Sequence, residues 1–295
     1  MKENKASSTA FTVLQGLLYI AQSKQYAYLV PEEMQALGIK ILSASEEGQQ
    51  RLQQLQKPWL DIAVKLKEFL LLPGITLHYV LRKRCIEDIT RQAIADGYTQ
   101  VINLGAGFDG LLWNLHSKYS DVNFIELDHP ATHDLKVQAL ADPEKSADNM
   151  HFLSIDFTHQ DLESVLNESS TFEAHRKTLF ICEGVLMYLQ TSEIDTLFNA
   201  IHSLSGQNSL FAFTCLEPQG SANNNIRAAL FYYLKLIDEP IKWALESEKM
   251  ANFLQQHHTQ QKLIKGTDAF KQDYLKQPIK QTLHYGEYVV LTEFL

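Results

Sequence analysis

Cysteine is scarce in this sequence of 295 residues. Its three cysteines, Cys85, Cys182 and Cys215, are an odd number, and none of them forms a closely spaced pair with another. Zinc knuckles and disulfide-rich secreted domains depend on such pairs, so the sequence argues against both classes. We therefore expect a reducing compartment, the cytoplasm, and three buried thiols that carry no chemistry.

Positive charge is also in short supply. Lysine and arginine total 26 while aspartate and glutamate total 35, which gives a net charge of −9. A nucleic-acid backbone and an anionic membrane both attract a basic protein face. This balance argues against a nucleic acid or a membrane as the main partner.

Long apolar runs are missing as well, since none approaches the ~18 residues of a membrane span. The best run, 69–72, stops at Pro73. Near the N-terminus, apolar residues between 10 and 21 recur at helical spacing, but Glu3 and Gln15 interrupt the pattern of a signal peptide. We interpret this stretch as an amphipathic helix.

The chain does have enough hydrophobic residues, 45%, to build a large core. Its first hundred residues show helical periodicity, whereas short apolar segments alternate with amphipathic ones after residue 100. Such alternation predicts βαβ units and a parallel sheet with helices on both faces. The predicted strands are 101–104, 122–127, 152–155, 178–182 and 210–215, and the predicted helices between them are 111–118, 131–140, 160–167 and 193–204.

The C-terminal part of the chain departs from this rhythm. We expect one long helical segment over 225–256, although Pro240 lies inside it. The β-rich terminus at 287–294 fits an edge strand or a final hairpin. The N-terminal helices and the 225–256 segment are interpreted as additions packed onto one doubly wound domain.

Candidate ligand contacts follow the predicted strands, because an open parallel sheet binds ligands at the carboxyl ends of its strands. The first strand leads into Gly105, Ala106 and Gly107, and Gly110 completes a G-x-G-x-x-G pattern. Small residues there allow a ligand to approach the backbone of a helix N-terminus. The alternative is a tight turn that binds nothing.

The second strand ends on an acid. Asp128 lies about 20 residues after the glycines, where a carboxylate can accept both hydroxyls of a ribose. Glu126 points to the same side by strand alternation and would support it. Asp128 could instead cap the helix that starts at Pro130.

The third and fourth strands also end on acids. Asp156 and Phe157 could accept from an exocyclic amino group and stack on a purine, although Asp156 could simply face solvent. Glu183, followed by Gly184, lies where the reacting end of a ligand is expected.

Three carboxylates at neighbouring strand ends would repel a pyrophosphate but attract a cation. S-adenosylmethionine is a nucleoside that carries a sulfonium and an ammonium group. The electrostatics therefore favour this molecule over a dinucleotide.

Several ordered motifs make the chain resemble the leucine carboxyl methyltransferase family of class I S-adenosylmethionine-dependent methyltransferases, including its bacterial small-molecule O-methyltransferases. The resemblance covers about residues 78 to 215. The motifs that carry it are 82–88, 101–109, 126–130 with Lys136 downstream, and 183–189.

The resemblance implies a Rossmann-like α/β fold with a seven-stranded, mostly parallel sheet whose last strand is antiparallel. It implies a single domain over 1–295, with an N-terminal helical cap at 1–80 and a helical lid insertion at 218–262. The cofactor contacts that it implies are the turn of Gly105, Ala106 and Gly107 on the methionine part, Asp128 on the ribose, Asp156 and Phe157 around the adenine, Glu183 near the methionine end and Arg82 on the methionine carboxylate.

A guanidinium suits bidentate carboxylate binding, but Arg82 could also be a solvated helix residue. Tyr188 could contact the methyl acceptor or only pack. We name no catalytic base, because a carboxylate acceptor with a pKa near ~4 is already ionised at neutral pH. We also expect no metal.

The expected activity is O-methyl transfer from S-adenosyl-L-methionine, with S-adenosyl-L-homocysteine as product, to a carboxylate of a small molecule or a protein C-terminus. A hydroxyl acceptor would require a base. Two alternatives stay open: an NAD(P)-dependent oxidoreductase that uses the same glycine turn, and a non-catalytic cofactor-binding module. The oligomeric state cannot be predicted.

Overall fold

One seven-stranded sheet organises the protein. The structure is a computed structural model. It describes residues 6–141, 148–157, 159–174, 176–205, 209–236, 240–279 and 282–295. The strands are β1 Gln100–Leu104, β2 Asn123–Asp128, β3 Met150–Ser154, β4 Thr178–Cys182, β5 Leu210–Leu216, β6 Thr259–Lys265 and β7 Glu287–Phe294.

The strand order across the sheet is β3-β2-β1-β4-β5-β7-β6. Strands β1 to β5 pair in parallel, while β7 is antiparallel to both β5 and β6. The prediction of a mostly parallel, seven-stranded sheet with an antiparallel last strand is therefore confirmed. The order reverses between β1 and β4, which opens a crevice at the carboxyl ends of these two strands.

Twelve α-helices lie in the described part of the chain. Five precede the sheet, and most of the others connect its strands. The helices are α1 Ser8–Ala21, α2 Glu32–Ser43, α3 Glu46–Leu55, α4 Leu60–Leu70, α5 Ile75–Ala95, α6 Leu111–His116, α7 Pro130–Leu140, α8 Leu162–Glu168, α9 Thr191–Ser205, α10 Ala228–Leu236, α11 Met250–Gln256 and α12 Thr267–Tyr274.

The sheet separates two hydrophobic clusters because successive strand residues point to opposite faces. Val101 and Phe124 pack with helices α1, α2 and α5 on one face. Ile102 and Ile125 pack with α8, α9 and α11 on the other. Every residue of the central strands β1, β4 and β5 is buried, because both faces of these strands are covered.

Helix α1 is held against the glycine turn that follows β1. The Ser7 hydroxyl accepts a hydrogen bond from the Ala10 amide at 3.2 Å and so begins the helix. One turn later, the Phe11 ring meets the Phe108 ring edge-on, with centroids 4.8 Å apart. The N-terminal helices therefore share the core of the sheet.

One prediction and one alternative for the C-terminal part are wrong. The 225–256 segment is not one helix: α10 ends at Leu236, residues 240–246 are not helical, and α11 begins at Met250. Of the two alternatives for 287–294, the edge strand is wrong: β7 lies between β5 and β6, although it does pair antiparallel with β6, the strand before it.

The sequence analysis missed β6 and α12. Gln260, Gln261 and Lys262 of β6 are exposed, so this edge strand has no apolar run that would reveal it. Its first residue, Thr259, also falls inside the insertion expected at 218–262.

The three cysteines are buried and free, as expected. Burial raises the pKa of each thiol to about 12, which suits side chains that only pack. Among the described residues, no helix combines the length and the apolar character that a bilayer crossing requires.

Phe198 of α9 provides a test of the core. Its ring lies 5.2 Å from that of Phe211 and 5.5 Å from that of Phe253. We expect Phe198→Ala to lower the free energy of unfolding by about 3–5 kcal/mol, because it leaves a cavity among aromatic rings. Urea denaturation measures this change.

The matched control is Phe69→Ala on α4, where the side chain is 68% exposed. It should cost less than about 1 kcal/mol, as surface substitutions usually do. Equal losses for the two variants would contradict the packing described here.

Candidate functional site

A single cavity of about 1030 Å³ lies at the carboxyl ends of β1, β2 and β4. Helices α1, α4 and α10 contribute to its wall. All nine residues predicted to contact cofactor or acceptor line this cavity: Arg82, Gly105, Ala106, Gly107, Asp128, Asp156, Phe157, Glu183 and Tyr188.

The glycine turn needs its glycines. Gly105 has a φ of +68°, and a Cβ there would lie 2.6 Å from Cγ2 of Val185. Gly107 has a φ of +51°, and its amide donates to the Asp128 carboxylate. The turn therefore presents bare backbone to the cavity and is tied to the end of β2.

Asp128 is held by backbone amides. In addition to Gly107, the His129 amide donates to the Asp128 carboxylate at 2.7 Å. Burial raises the pKa of Asp128 above its usual value, and the two amide donors oppose this effect. The residue that precedes α7 is His129, so the alternative in which Asp128 caps that helix is wrong.

Asp156 and Phe157 lie at the rim of the cavity, directly after β3. The Phe157 ring is 42% exposed. One Asp156 carboxylate oxygen lies 4.0 Å from Nε2 of His129, the residue that follows Asp128. An aromatic face and a carboxylate are thus available together at this end.

At the opposite end, Arg82 of α5 lies between two glutamates. Its Nη2 is 2.7 Å from Oε1 of Glu183, and its Nη1 is 2.7 Å from Oε1 of Glu287. The alternative of a solvated Arg82 is wrong, since the residue is buried. A ligand carboxylate that reached Arg82 would have to share it with these two side chains.

Glu287 is the first residue of β7 and also accepts from His78, whose Nε2 lies 2.9 Å away. Burial alone would raise the pKa of Glu287, but Arg82 and His78 outweigh it and hold that pKa well below its usual range. Glu287 is therefore a buried carboxylate that stays ionised.

Lys83 extends the network. Its Nζ lies 3.3 Å from Glu183 and 3.2 Å from Asp109 of the glycine turn. Burial would raise the pKa of Asp109, but Lys83 and then Lys136 lower it below its usual value. The turn after β1 is thereby connected to the loop after β4.

Glu126 does not reach the cavity. It is buried and pairs with Lys136, which also donates to the backbone carbonyl of Asp109. Burial raises the pKa of Glu126 to about 7, despite the opposing effect of Lys136. The pair supports the glycine turn from behind, as the supporting role expected of Glu126 requires.

His78, His284 and Glu287 each offer a metal-ligand atom, and these atoms lie within 4.8 Å of one another. Arg82 contacts both oxygens of Glu287, however, so its charge opposes a cation at this place. The absence of a metal from the reaction stays a prediction.

Several lining residues were not predicted: Tyr79, Lys83, Asp109, His284 and Glu287. Lys83 and Asp109 belong to the quoted motifs and could have been found there. Glu287 follows the glycine turn by about 180 residues and lies in a strand without a motif, so no sequence signal marked it.

The residues present fit a cationic nucleoside. Beside the cations Arg82 and Lys83 and the imidazole of His78, the ionic cluster holds three carboxylates, Glu183, Glu287 and Asp109. Asp128 adds another at the turn. A ligand with positive charge near this cluster would be stabilised.

Comparison with known proteins gives a family match. A model of the leucine carboxyl methyltransferase family matches residues 21–202, more than half of the chain. A Mycolicibacterium vanbaalenii protein, named as a candidate S-adenosyl-L-methionine-dependent methyltransferase, is 32% identical over 133 residues. This match spans 45% of the present chain and 43% of that relative, less than half of its length.

Solved structures share the fold at low identity. A candidate methyltransferase from Thermobifida fusca has a TM-score of 0.59 at 15% identity, and covers 87% of this chain and 94% of its own. A DUF574 family protein from Streptomyces avermitilis has a TM-score of 0.59 at 11% identity, covering 99% and 98%. These likenesses show the fold alone, including its N-terminal helices.

The buried environment of His284 predicts how the free energy of unfolding depends on pH. Its ring meets that of His78 at a centroid distance of 4.7 Å, and Glu287 and Arg82 lie nearby. Burial, followed by His78, lowers its pKa to about 3. The unfolded chain takes up a proton near pH ~6.5 while the folded protein does not, so folding stability falls as the pH drops below that value.

Between pH 7 and pH 5, protonation of this residue in the unfolded chain should lower the free energy of unfolding by about 1–2 kcal/mol, as measured by urea denaturation. In His284→Asn the decrease should be smaller by that amount. The control is His202→Asn, at an exposed position of α9. If the stability of His284→Asn depends on pH as that of the wild type does, His284 is not the source of this pH dependence.

Proposed function

Because the chain belongs to the leucine carboxyl methyltransferase family, we propose that it is an S-adenosyl-L-methionine-dependent O-methyltransferase that methylates a carboxylate. The acceptor belongs to a small molecule or a protein C-terminus. One observation carries this proposal: Asp128, Asp156 and Glu183 line the same cavity as the glycine turn. The proposal requires those carboxylates to act on one ligand.

Different residues would contact different parts of the cofactor. Asp128 would accept the ribose hydroxyls, and Phe157 with Asp156 would bound the adenine. Gly105, Ala106 and Gly107 would lie along the methionine part. Glu183, from the loop after β4, and Arg82, from α5, would contact the same part. The carboxylates of the cluster support this direction, because they face the cationic end.

When bound, the cofactor supplies an electrophilic methyl group on a sulfonium. The protein must place an acceptor oxygen about 3–3.5 Å from that carbon, in line with the bond that breaks. Tyr188, in the short 3-10 helix Leu186–Tyr188 after β4, lies on the cavity wall where it could orient this oxygen. Helices α1 and α4 would exclude water from the same space.

A carboxylate acceptor suits the protonation of the site. With a pKa near ~4 it is ionised at neutral pH and attacks without a base. A hydroxyl acceptor would need one. His284 lines the cavity, but its lowered pKa of about 3 makes it a weak base.

The alternative of an NAD(P)-dependent oxidoreductase fits less well. A pyrophosphate would meet Asp128 next to the turn and two further carboxylates, Asp156 and Glu183, in the same cavity. Like charges in a partly buried site are strongly unfavourable. A non-catalytic module would keep cofactor binding but transfer no methyl group.

Isothermal titration with S-adenosyl-L-homocysteine tests the cofactor. We expect micromolar binding by the wild type and a loss of at least about tenfold in Asp128→Ala, since two hydrogen bonds to a charged group are removed. The control is Asp134→Ala on α7, whose side chain is 77% exposed; it should bind as the wild type does.

Circular dichroism should show that both variants are folded. If the wild type does not bind at millimolar ligand, the proposal fails. Fluorescence quenching by NADH without binding of S-adenosyl-L-homocysteine would favour the oxidoreductase.

A further inference from the structure

The cavity has an apolar part that the cofactor residues do not explain. Helices α4 and α10, together with the start of α5, form this part. We call it the acceptor compartment, and its wall residues are Val64, Leu71, Ile75, Met187, Leu230 and Leu234.

Backbone contacts connect this compartment to the proposed reaction site. The Arg227 amide donates to the Leu71 carbonyl at 3.0 Å, which joins the residue before α10 to the end of α4. The Lys242 amide donates to the Met187 carbonyl at 2.8 Å, next to Tyr188. The apolar wall therefore runs up to the residue expected to orient the acceptor.

The volume of the cavity lies at the upper end of the range for ligand pockets. Pockets for one drug-sized ligand usually measure about 300–1,000 Å³, and this cavity measures about 1030 Å³. A cofactor held at the strand ends would leave the acceptor compartment for a second molecule.

The inner face of helix α4 lines the cavity with the apolar residues Leu60, Ala63 and Val64. Leu60 also packs against the protein core, but no residue of α4 is fully buried. An apolar molecule in the compartment would cover the inner face of α4 and remove it from water.

Tyr79 supplies a polar group at the inner end. Its ring lies 5.4 Å below the Arg82 guanidinium, and Tyr188 is among its electrostatic neighbours. Within the described residues its hydroxyl has no hydrogen-bond partner. Burial raises the pKa of Tyr79, so the phenol keeps its proton and can donate to an anion.

Lys67 and Glu68 of α4 both line the cavity, so this wall carries charge of both signs. Within the described part of the chain, no carboxylate forms an ion pair with Lys67. Its ammonium can therefore pair with an anionic ligand.

We propose that the methyl acceptor is a long-chain carboxylic acid, with its chain in the acceptor compartment and its carboxylate on the Tyr79 hydroxyl. This inference rests on the proposed function. A bond forms between the carboxylate oxygen and the methyl carbon, and the bond between that carbon and sulfur breaks. Its electron pair stays on sulfur, so the products are a methyl ester and S-adenosyl-L-homocysteine.

The test is a series of saturated acids from butanoate to hexadecanoate, given to the full chain with methyl-labelled S-adenosyl-L-methionine. Labelled ester is extracted and kcat/KM is measured for each acid. We expect kcat/KM to rise by up to about fourfold per methylene until the compartment is full, as burial of each CH₂ allows.

Val64→Trp should shorten the preferred chain, because the larger side chain fills part of the compartment. Leu234→Trp is a second variant with the same expectation, should the first fail to fold. The matched control is Leu66→Trp on the outer face of α4, where Leu66 is 56% exposed; its preferred chain length should equal that of the wild type.

Tyr79→Phe keeps the ring below Arg82 and removes only the hydroxyl. We expect KM for the acid to rise at least about fivefold, as the loss of a hydrogen bond to a charged group implies, with unchanged affinity for S-adenosyl-L-homocysteine. A purely structural role of Tyr79 would instead change both quantities.

The outcomes separate the two proposals. Cofactor binding without transfer to any acid, or with a rate independent of chain length, overturns the long-chain acceptor. Transfer to a peptide C-terminus or a phenol in the same assay would then leave the proposal of a methyltransferase standing. Failure to bind S-adenosyl-L-homocysteine overturns the proposed function itself.

Discussion

The buried ion pairs of Arg82 are the interaction on which the site depends. Arg82 joins α5 to Glu183 after β4 and to Glu287 at the start of β7, and all three side chains are nearly inaccessible to water. Charges removed from water are tolerated only when they are paired, so loss of one partner would leave the others uncompensated. The network therefore fixes one helix and two distant strands in a single arrangement around the cavity.

This arrangement divides the cavity by polarity. Its charged wall lies at the strand ends, where parallel strands and the bare backbone of Gly105 and Gly107 meet. Its apolar wall comes from α4 and α10, which lie outside the sheet. Under the proposed function, a charged nucleoside would lie against the first wall and an apolar acceptor against the second.

Much of the α/β core could be predicted because its signal is local. Apolar runs marked β1 to β5, and the acids that follow them identified Asp128, Asp156 and Glu183. The same reasoning failed at β6, an edge strand with exposed glutamines, and at 225–256, where helical composition concealed two separate helices. It also left β7 as either an edge strand or part of a hairpin, because apolar composition does not say how many neighbours a strand has.

The sequence by itself determined which residues could form strands, which turn could approach a ligand and which acids would follow the strands. Each of these depends on neighbours along the chain. Only the tertiary structure decided that Glu287 would share Arg82 with Glu183, and that apolar residues of α4 would line the cavity. Such pairings join residues that are far apart in the chain, and they arise only when the packed sheet removes those side chains from water.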